Sequence, residues 1–215
     1  MGEVFLRCNA REVVTRVGKY VQDLARLSHG PNITVPEIKL EGHLDTTFPY
    51  ILSHLEYIIG ELLRNSIRAT VEKHGSNPPP ITVLICNAPK HIIFRVSDQG
   101  GGIPPEEVPG LWSFAKGIRS ETRLKNFEQV PKMSATLQEL QPAEKKSVPG
   151  TNSLHTLTYR PPDLKLGMGL PMSRVYAEYW GGSLEQTTME GYGADVFLHI
   201  EKLGNRLEQL NIDSL

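Results

Sequence analysis

Between residues 103 and 166 the chain carries no hydrophobic period, yet clear helix and strand patterns stand on both sides of it. A structureless stretch of that length is uncommon inside a compact domain unless it is a functional lid or disordered. The fold must therefore close around an insertion. A length of 215 residues agrees, being about one and a half usual domains. The reading is one domain over residues 1–203, with an insertion at about 103–166 and a polar, weakly helical tail at 204–215.

The flanks carry ordinary signals. Asn9 with Glu12 three residues on is close to a capping box. Val13, Val17, Val21, Leu24 and Leu27 then repeat at helical spacing until Gly30-Pro31. An extended stretch at 33–40 and a short one at 46–48 precede a longer helix, about 50–73. Leu52, Leu55, Ile59, Leu62 and Leu63 form its buried side, and Gly75 with the Pro78-Pro79-Pro80 run ends it. Two β-branched runs, 81–86 and 91–97, flank Asn87-Ala88-Pro89-Lys90 as an antiparallel hairpin. A short helix is expected near 106–114. After the insertion, Gly167-Met168-Gly169 opens a third helix, about 170–180, and strands 183–189 and 194–200 form a second hairpin. The N-terminus is expected to run almost at once into the first helix, which suggests a missing upstream domain. The sum is an α/β two-layer sandwich, a mixed and mainly antiparallel sheet with three helices on one face.

Bulk properties exclude several classes. A formal charge of −1 argues against a nucleic-acid footprint. Cys8 and Cys86 give no disulfide framework and no CxxC metal spacing. No apolar run approaches the roughly 20 residues that span a bilayer, so membrane insertion is not expected. The N-terminus lacks the blocks of a secretory signal and is too short for a transit peptide.

Three clusters carry chemistry. Glu61, Asn65 and Arg68 stand at i, i+4 and i+7, in one row off the apolar arc. Such a row reads either as a solvated helix face with an ion pair or as working groups. In the second reading the Asn65 oxygen suits Mg²⁺ that bridges substrate phosphates. Glu61 can accept a proton from an attacking hydroxyl, and Arg68 can steady phosphate or pair with Glu72. Asp98-Gln99-Gly100-Gly101-Gly102 follows a strand, and three consecutive glycines exceed what a turn needs. A strand-end carboxylate before bare backbone suits a flat ligand with an exocyclic amine, though a plain loop remains open. Neither the P-loop nor the dinucleotide fingerprint is present. Gly167-Met168-Gly169-Leu170-Pro171 exposes N–H donors to anions at a helix start, or is an ordinary cap. The preceding residues 112–166 carry nine Lys/Arg against five Asp/Glu. That excess suits a lid over a triphosphate or a solvated loop.

In order, ELLRNSIRAT, DQGGG, GMGLP and EGYGAD resemble the N, G1, G2 and final glycine motifs of the GHKL ATPase superfamily, whose members share the Bergerat ATP-binding fold. More narrowly, RNSIRATVEKH, LPMSRVYAEYWGGSL and MEGYG resemble the mitochondrial kinases that inactivate pyruvate and branched-chain 2-oxoacid dehydrogenase complexes. The stretch LWSFAKG with LKLGMGLP is similar to fungal pyruvate dehydrogenase kinases. The resemblance spans about residues 8–203 and implies a protein-serine kinase using ATP and Mg²⁺ in the mitochondrial matrix. Glu61 would be the general base, Asn65 the metal ligand, and Asp98 the adenine anchor. Arg68 would lie beside the phosphates. Gly100, Gly102 and Ile103 would shape the pocket, with Gly167, Met168, Gly169 and Leu170 at the phosphates. The implied partners are the E1 subunit and the lipoyl-bearing E2, with a homodimer for the full-length protein. The sequence departs from the family at Lys165, where a glycine is usual, at Lys116-Gly117-Ile118 and at Ala194. The regulatory helical bundle that precedes this domain in the family has no counterpart in these residues. An ATP/ADP-binding module without kinase output is the alternative. A histidine kinase lacks a candidate acceptor, since His29 closes a helix beside Gly30.

Overall fold

The computed structural model describes residues 4–29, 33–114 and 167–202. Most of the insertion and the tail, with the Lys116–Ile118 and Lys165 departures, lie outside these residues. Among the described residues three α-helices and seven strands alternate in chain order. They are β1 (Val4–Asn9), α1 (Ala10–His29), β2 (Ile38–Gly42), β3 (Thr47–Ile51) and α2 (Leu52–His74). β4 (Ile81–Asn87), β5 (His91–Asp98), α3 (Gly169–Tyr179), β6 (Ser183–Met189) and β7 (Gly193–Glu201) follow. None of these helices is long and apolar enough to cross a membrane.

Five strands form the main sheet in the order β2-β4-β5-β7-β6. β2 runs parallel to β4, and the remaining neighbours are antiparallel. Strand alternation decides the layering. Ile81, Val83 and Ile85 on β4 and Ile92, Phe94 and Val96 on β5 are buried, as are Leu198 and Ile200 on β7, while their chain neighbours are only half-buried. With a side-chain period of two, all of these fall on one face, where the helices pack. Each such side chain contributes about 1.5–3 kcal/mol on burial.

α2 is held between the sheet and the other two helices, so it buries far more than one stripe. Leu55, Ile58, Ile59, Leu62, Leu63 and Ile67 are all buried, and so are Glu61 and Arg64. The start of α1 is set as expected, with the Glu12 amide donating to Asn9 Oδ1 at 3.1 Å.

Three local expectations change. The chain does not enter α1 directly, because Val4–Asn9 forms a strand paired antiparallel with β3 as a separate two-stranded sheet. Its register shifts between Phe5 and Cys8, which breaks the alternation that would have announced it. The short helix near 106–114 contracts to one 3₁₀ turn, Val108–Gly110. Pro104, Pro105 and Pro109 remove the amide donors a longer helix needs. The extended stretch at 33–40 pairs only over Ile38–Gly42, as the edge strand beside β4.

Candidate active site

The Asp98 bend and the long helix meet directly. Ser66, the residue after Asn65 on α2, donates its hydroxyl to Asp98 Oδ2 at 2.8 Å. The Gly100 amide donates to the other oxygen, Oδ1, at 2.9 Å. Both carboxylate oxygens are thus oriented at the end of β5, and the remaining lone pairs stay open to a ligand.

Close approach explains the glycines. A Cβ on Gly100 would overlap Ala69 and stand 2.8 Å from the Ala69 carbonyl carbon, on the backbone of α2. Gly102 lies at φ +72° with its Cα against the Met189 carbonyl. The next amide, Ile103, donates to Thr188 Oγ1 at 2.7 Å. The bend is also laced to the β6–β7 turn, with Gly101 donating to Tyr192 O at 3.0 Å and Gly191 donating to Gly101 O at 2.8 Å. From the end of α2, Lys73 Nζ donates to Gly191 O at 2.7 Å, and His74 Nε2 lies 2.9 Å from Gln99 O. Because the Gly100 clash is with helix backbone, which cannot rotate away, Gly100→Ala is expected to destabilise the chain by about 1–3 kcal/mol. Denaturant unfolding checks this, and an unchanged midpoint would mean that the bend stands off the helix.

Glu61 is not on a solvated face. It is 2% exposed, with Arg64 Nε 3.8 Å from its Oε1, and Arg64 is itself 5% exposed. A buried carboxylate needs such a counter-charge. Its other neighbour is the start of α3, where a Cβ on Gly169 would overlap the Glu61 carboxylate. Met168 stands at the N-cap, and Gly167 before it takes φ +67°. Leu170 in the first turn packs against the core. The Glu61 carboxylate therefore lies against the glycine-rich start of α3.

Asn65 is half-buried on the same helix, between Glu61 and Ser66 in the chain. Arg68, also half-buried, pairs with Glu72 at 3.8 Å. It borders the groove between α1 and α2 as well, beside Val21, Ala25 and Val71. The structure thus brings Glu61 to Gly169, and the Asn65–Ser66 segment to Asp98 and Gly100. No group of three or more His, Cys, Asp or Glu able to hold a metal occurs among the described residues. A metal here would draw ligands from phosphates and water, which suits Mg²⁺ with one amide oxygen from the protein.

Sequence reasoning did not single out Ser66, Thr188, Lys73 or Arg64. Ser66 and Thr188 act on partners 32 and 85 residues away, a separation no local period encodes. Arg64 was readable in principle as an i, i+3 partner of Glu61.

The family described as "Histidine kinase-, DNA gyrase B-, and HSP90-like ATPase" matches residues 51–203. Mitochondrial pyruvate dehydrogenase (acetyl-transferring) kinase 2 of Saccharomyces cerevisiae is 30% identical over 254 aligned residues, covering all of this chain and 51% of that protein. The mitochondrial pyruvate dehydrogenase (acetyl-transferring) kinase of Schizosaccharomyces pombe is 30% identical, covering 98% of this chain and 44% of its own length. Human isozyme 1 is 27% identical, with 99% and 43% covered. The chain spans about half the length of the curated relatives it matches.

Proposed function

The chain belongs to the histidine kinase-, DNA gyrase B-, and HSP90-like ATPase family, and on that premise we propose that it is the catalytic domain of a mitochondrial pyruvate dehydrogenase kinase. The reaction is transfer of the ATP γ-phosphate to a serine of the E1 subunit. The observation that carries this reading is the position of Glu61, buried against Gly169 on the same helix whose Ser66 holds Asp98.

In this reading Asp98 accepts the adenine amino proton, with Ser66 and the Gly100 amide holding its two oxygens in place. Gly102 and Ile103 wall the pocket through backbone tied to β6. The amides from Gly167 to Leu170 donate to the phosphates at the positive end of the α3 dipole. Glu61 takes the proton from the serine hydroxyl as it attacks, a contribution of roughly 10²–10⁴-fold. Mg²⁺, held by Asn65, would neutralise phosphate charge, on which most of phosphoryl-transfer catalysis depends. Arg68 supplies further positive charge near the phosphates.

Residues 1–203 act as one catalytic domain, with the insertion at about 103–166 as its lid and 204–215 as a tail. The names of the relatives support pyruvate dehydrogenase as the target and the mitochondrion as the compartment. E1 and the lipoyl-bearing E2 as partners, the matrix as the compartment and a homodimer for the full-length protein belong to the same proposal. Calorimetric titration with Mg-ADP beside a kinase assay on E1 tests the reading. The expected result is saturable binding and acid-stable phosphate on an E1 serine. Binding without transfer would leave a nucleotide-binding module. Acid-labile phosphate on the chain itself would point to a histidine kinase instead.

A further inference from the structure

Two contacts between α2 and α3 are separated by the same number of residues on each helix. Glu61 meets Gly169, and His54 meets Tyr176, so seven residues backward on α2 match seven forward on α3. The helices therefore run antiparallel with one register, and the two contacts lie about 10 Å apart along the axes.

The second contact is a flat stack. The His54 and Tyr176 rings have centroids 4.3 Å apart and an interplanar angle of 17°. Tyr57 closes on the edge of Tyr176 at 5.3 Å, and Tyr179 sits edge-on to His54 at 5.9 Å. The Tyr50 hydroxyl donates to the Tyr176 carbonyl at 3.4 Å. The stack uses the ring face of His54, and its buried Nδ1 has no hydrogen-bond partner among the described residues. Burial also lowers its pKa, which favours the uncharged ring. The stack lies about two turns of helix from the Glu61–Gly169 contact. At the other end, the fit of Gly169 against Glu61 leaves no room even for a methyl group.

We propose that the His54–Tyr176 stack pins the register of the α2–α3 pair, and that His54 is a positioning residue holding the phosphate-binding start of α3 against Glu61. The consequence for catalysis rests on the kinase reading above; the register pin does not. A slip of α3 along α2 moves the phosphates relative to the base without moving the adenine anchor, because the Asp98 carboxylate is held by Ser66 and the Gly100 amide and its backbone by β7, none of them on α3. Misplacement of about 1 Å costs up to roughly 100-fold in rate.

The test compares His54→Ala and His54→Phe in the full 215-residue chain. In His54→Ala, amide hydrogen exchange over Met172–Tyr176, the first helically bonded amides of α3, is expected to rise about tenfold while the β4 and β5 amides stay protected. Mg-ADP affinity should hold while transfer to E1 falls by roughly 10- to 100-fold. His54→Phe, which keeps a stacking ring, should restore both readouts. Tyr176→Leu breaks the stack from the other side and serves if His54→Ala fails to fold. Wild-type exchange in His54→Ala would overturn the pin, as would a failure of His54→Phe to rescue. Loss of binding and transfer in equal proportion would reduce His54 to an ordinary packing residue. A wild-type chain that bound no nucleotide would end the kinase reading, and the exchange comparison would still decide the register pin.

Discussion

Glu61→Gln is expected to leave Mg-ADP binding in place and to lower phosphoryl transfer to E1 by about 10²–10⁴-fold. The substitution nearly preserves shape, so the packing of the side chain against Gly169 survives. What disappears is the proton acceptor and the negative charge. The partner charge on Arg64 stays buried at that point, 3.8 Å away, so some loss of stability accompanies the loss of transfer. Melting temperature and nucleotide affinity, measured on the same preparation, separate the two effects. If E1 were phosphorylated at the wild-type rate by a folded Glu61→Gln chain, Glu61 would have no part in the chemistry. Transfer and Mg-ADP affinity falling together would instead make it a binding group.

Asp98→Asn should weaken Mg-ADP binding by roughly 10- to 100-fold, with little change in fold stability. Hydrogen bonds to a charged acceptor are worth about 1.5–3 kcal/mol, and 1.4 kcal/mol is tenfold in affinity. The fold survives because both internal contacts can be kept. The amide oxygen still accepts from Gly100, and the Ser66 hydroxyl can turn to accept from the new NH₂. The adenine amine loses its charged acceptor. Calorimetry with ADP and GDP reads this directly, since the loss should be larger for ADP and the preference between the bases should narrow. Equal affinity of variant and wild type for ADP would move the adenine site away from Asp98, and the proposed pose with it.

The two outcomes together distinguish a kinase from a binding module. A binding defect at Asp98 with a pure transfer defect at Glu61 assigns the bend after β5 and the middle of α2 to separate tasks, one to recognition and one to chemistry. The Gly100→Ala prediction is of another kind. It probes only the contact between bend and helix, and it holds whether or not the chain transfers phosphate.

Much of the architecture was legible because its signals are local. The Asn9 cap, the alternation in β4 and β5 and the glycine punctuation around α3 each depend on neighbours within a few residues. The order of the clusters, acid-and-amide helix, aspartate-led glycine bend and glycine-opened helix, was enough to suggest one nucleotide between them. The strand at Val4–Asn9 was not legible, because its partner is β3 and its bulge hides the period.

From the residues alone followed the two-layer α/β class, the insertion at about 103–166 and the candidates Glu61, Asn65 and Asp98. Only the tertiary structure decided that Glu61 is buried against Gly169 and beside Arg64, that Ser66 holds Asp98, and that His54 stacks on Tyr176. The reason is physical. Periodicity and capping act over one or two turns of chain, whereas burial and partner choice are set when helices more than a hundred residues apart pack in a particular register.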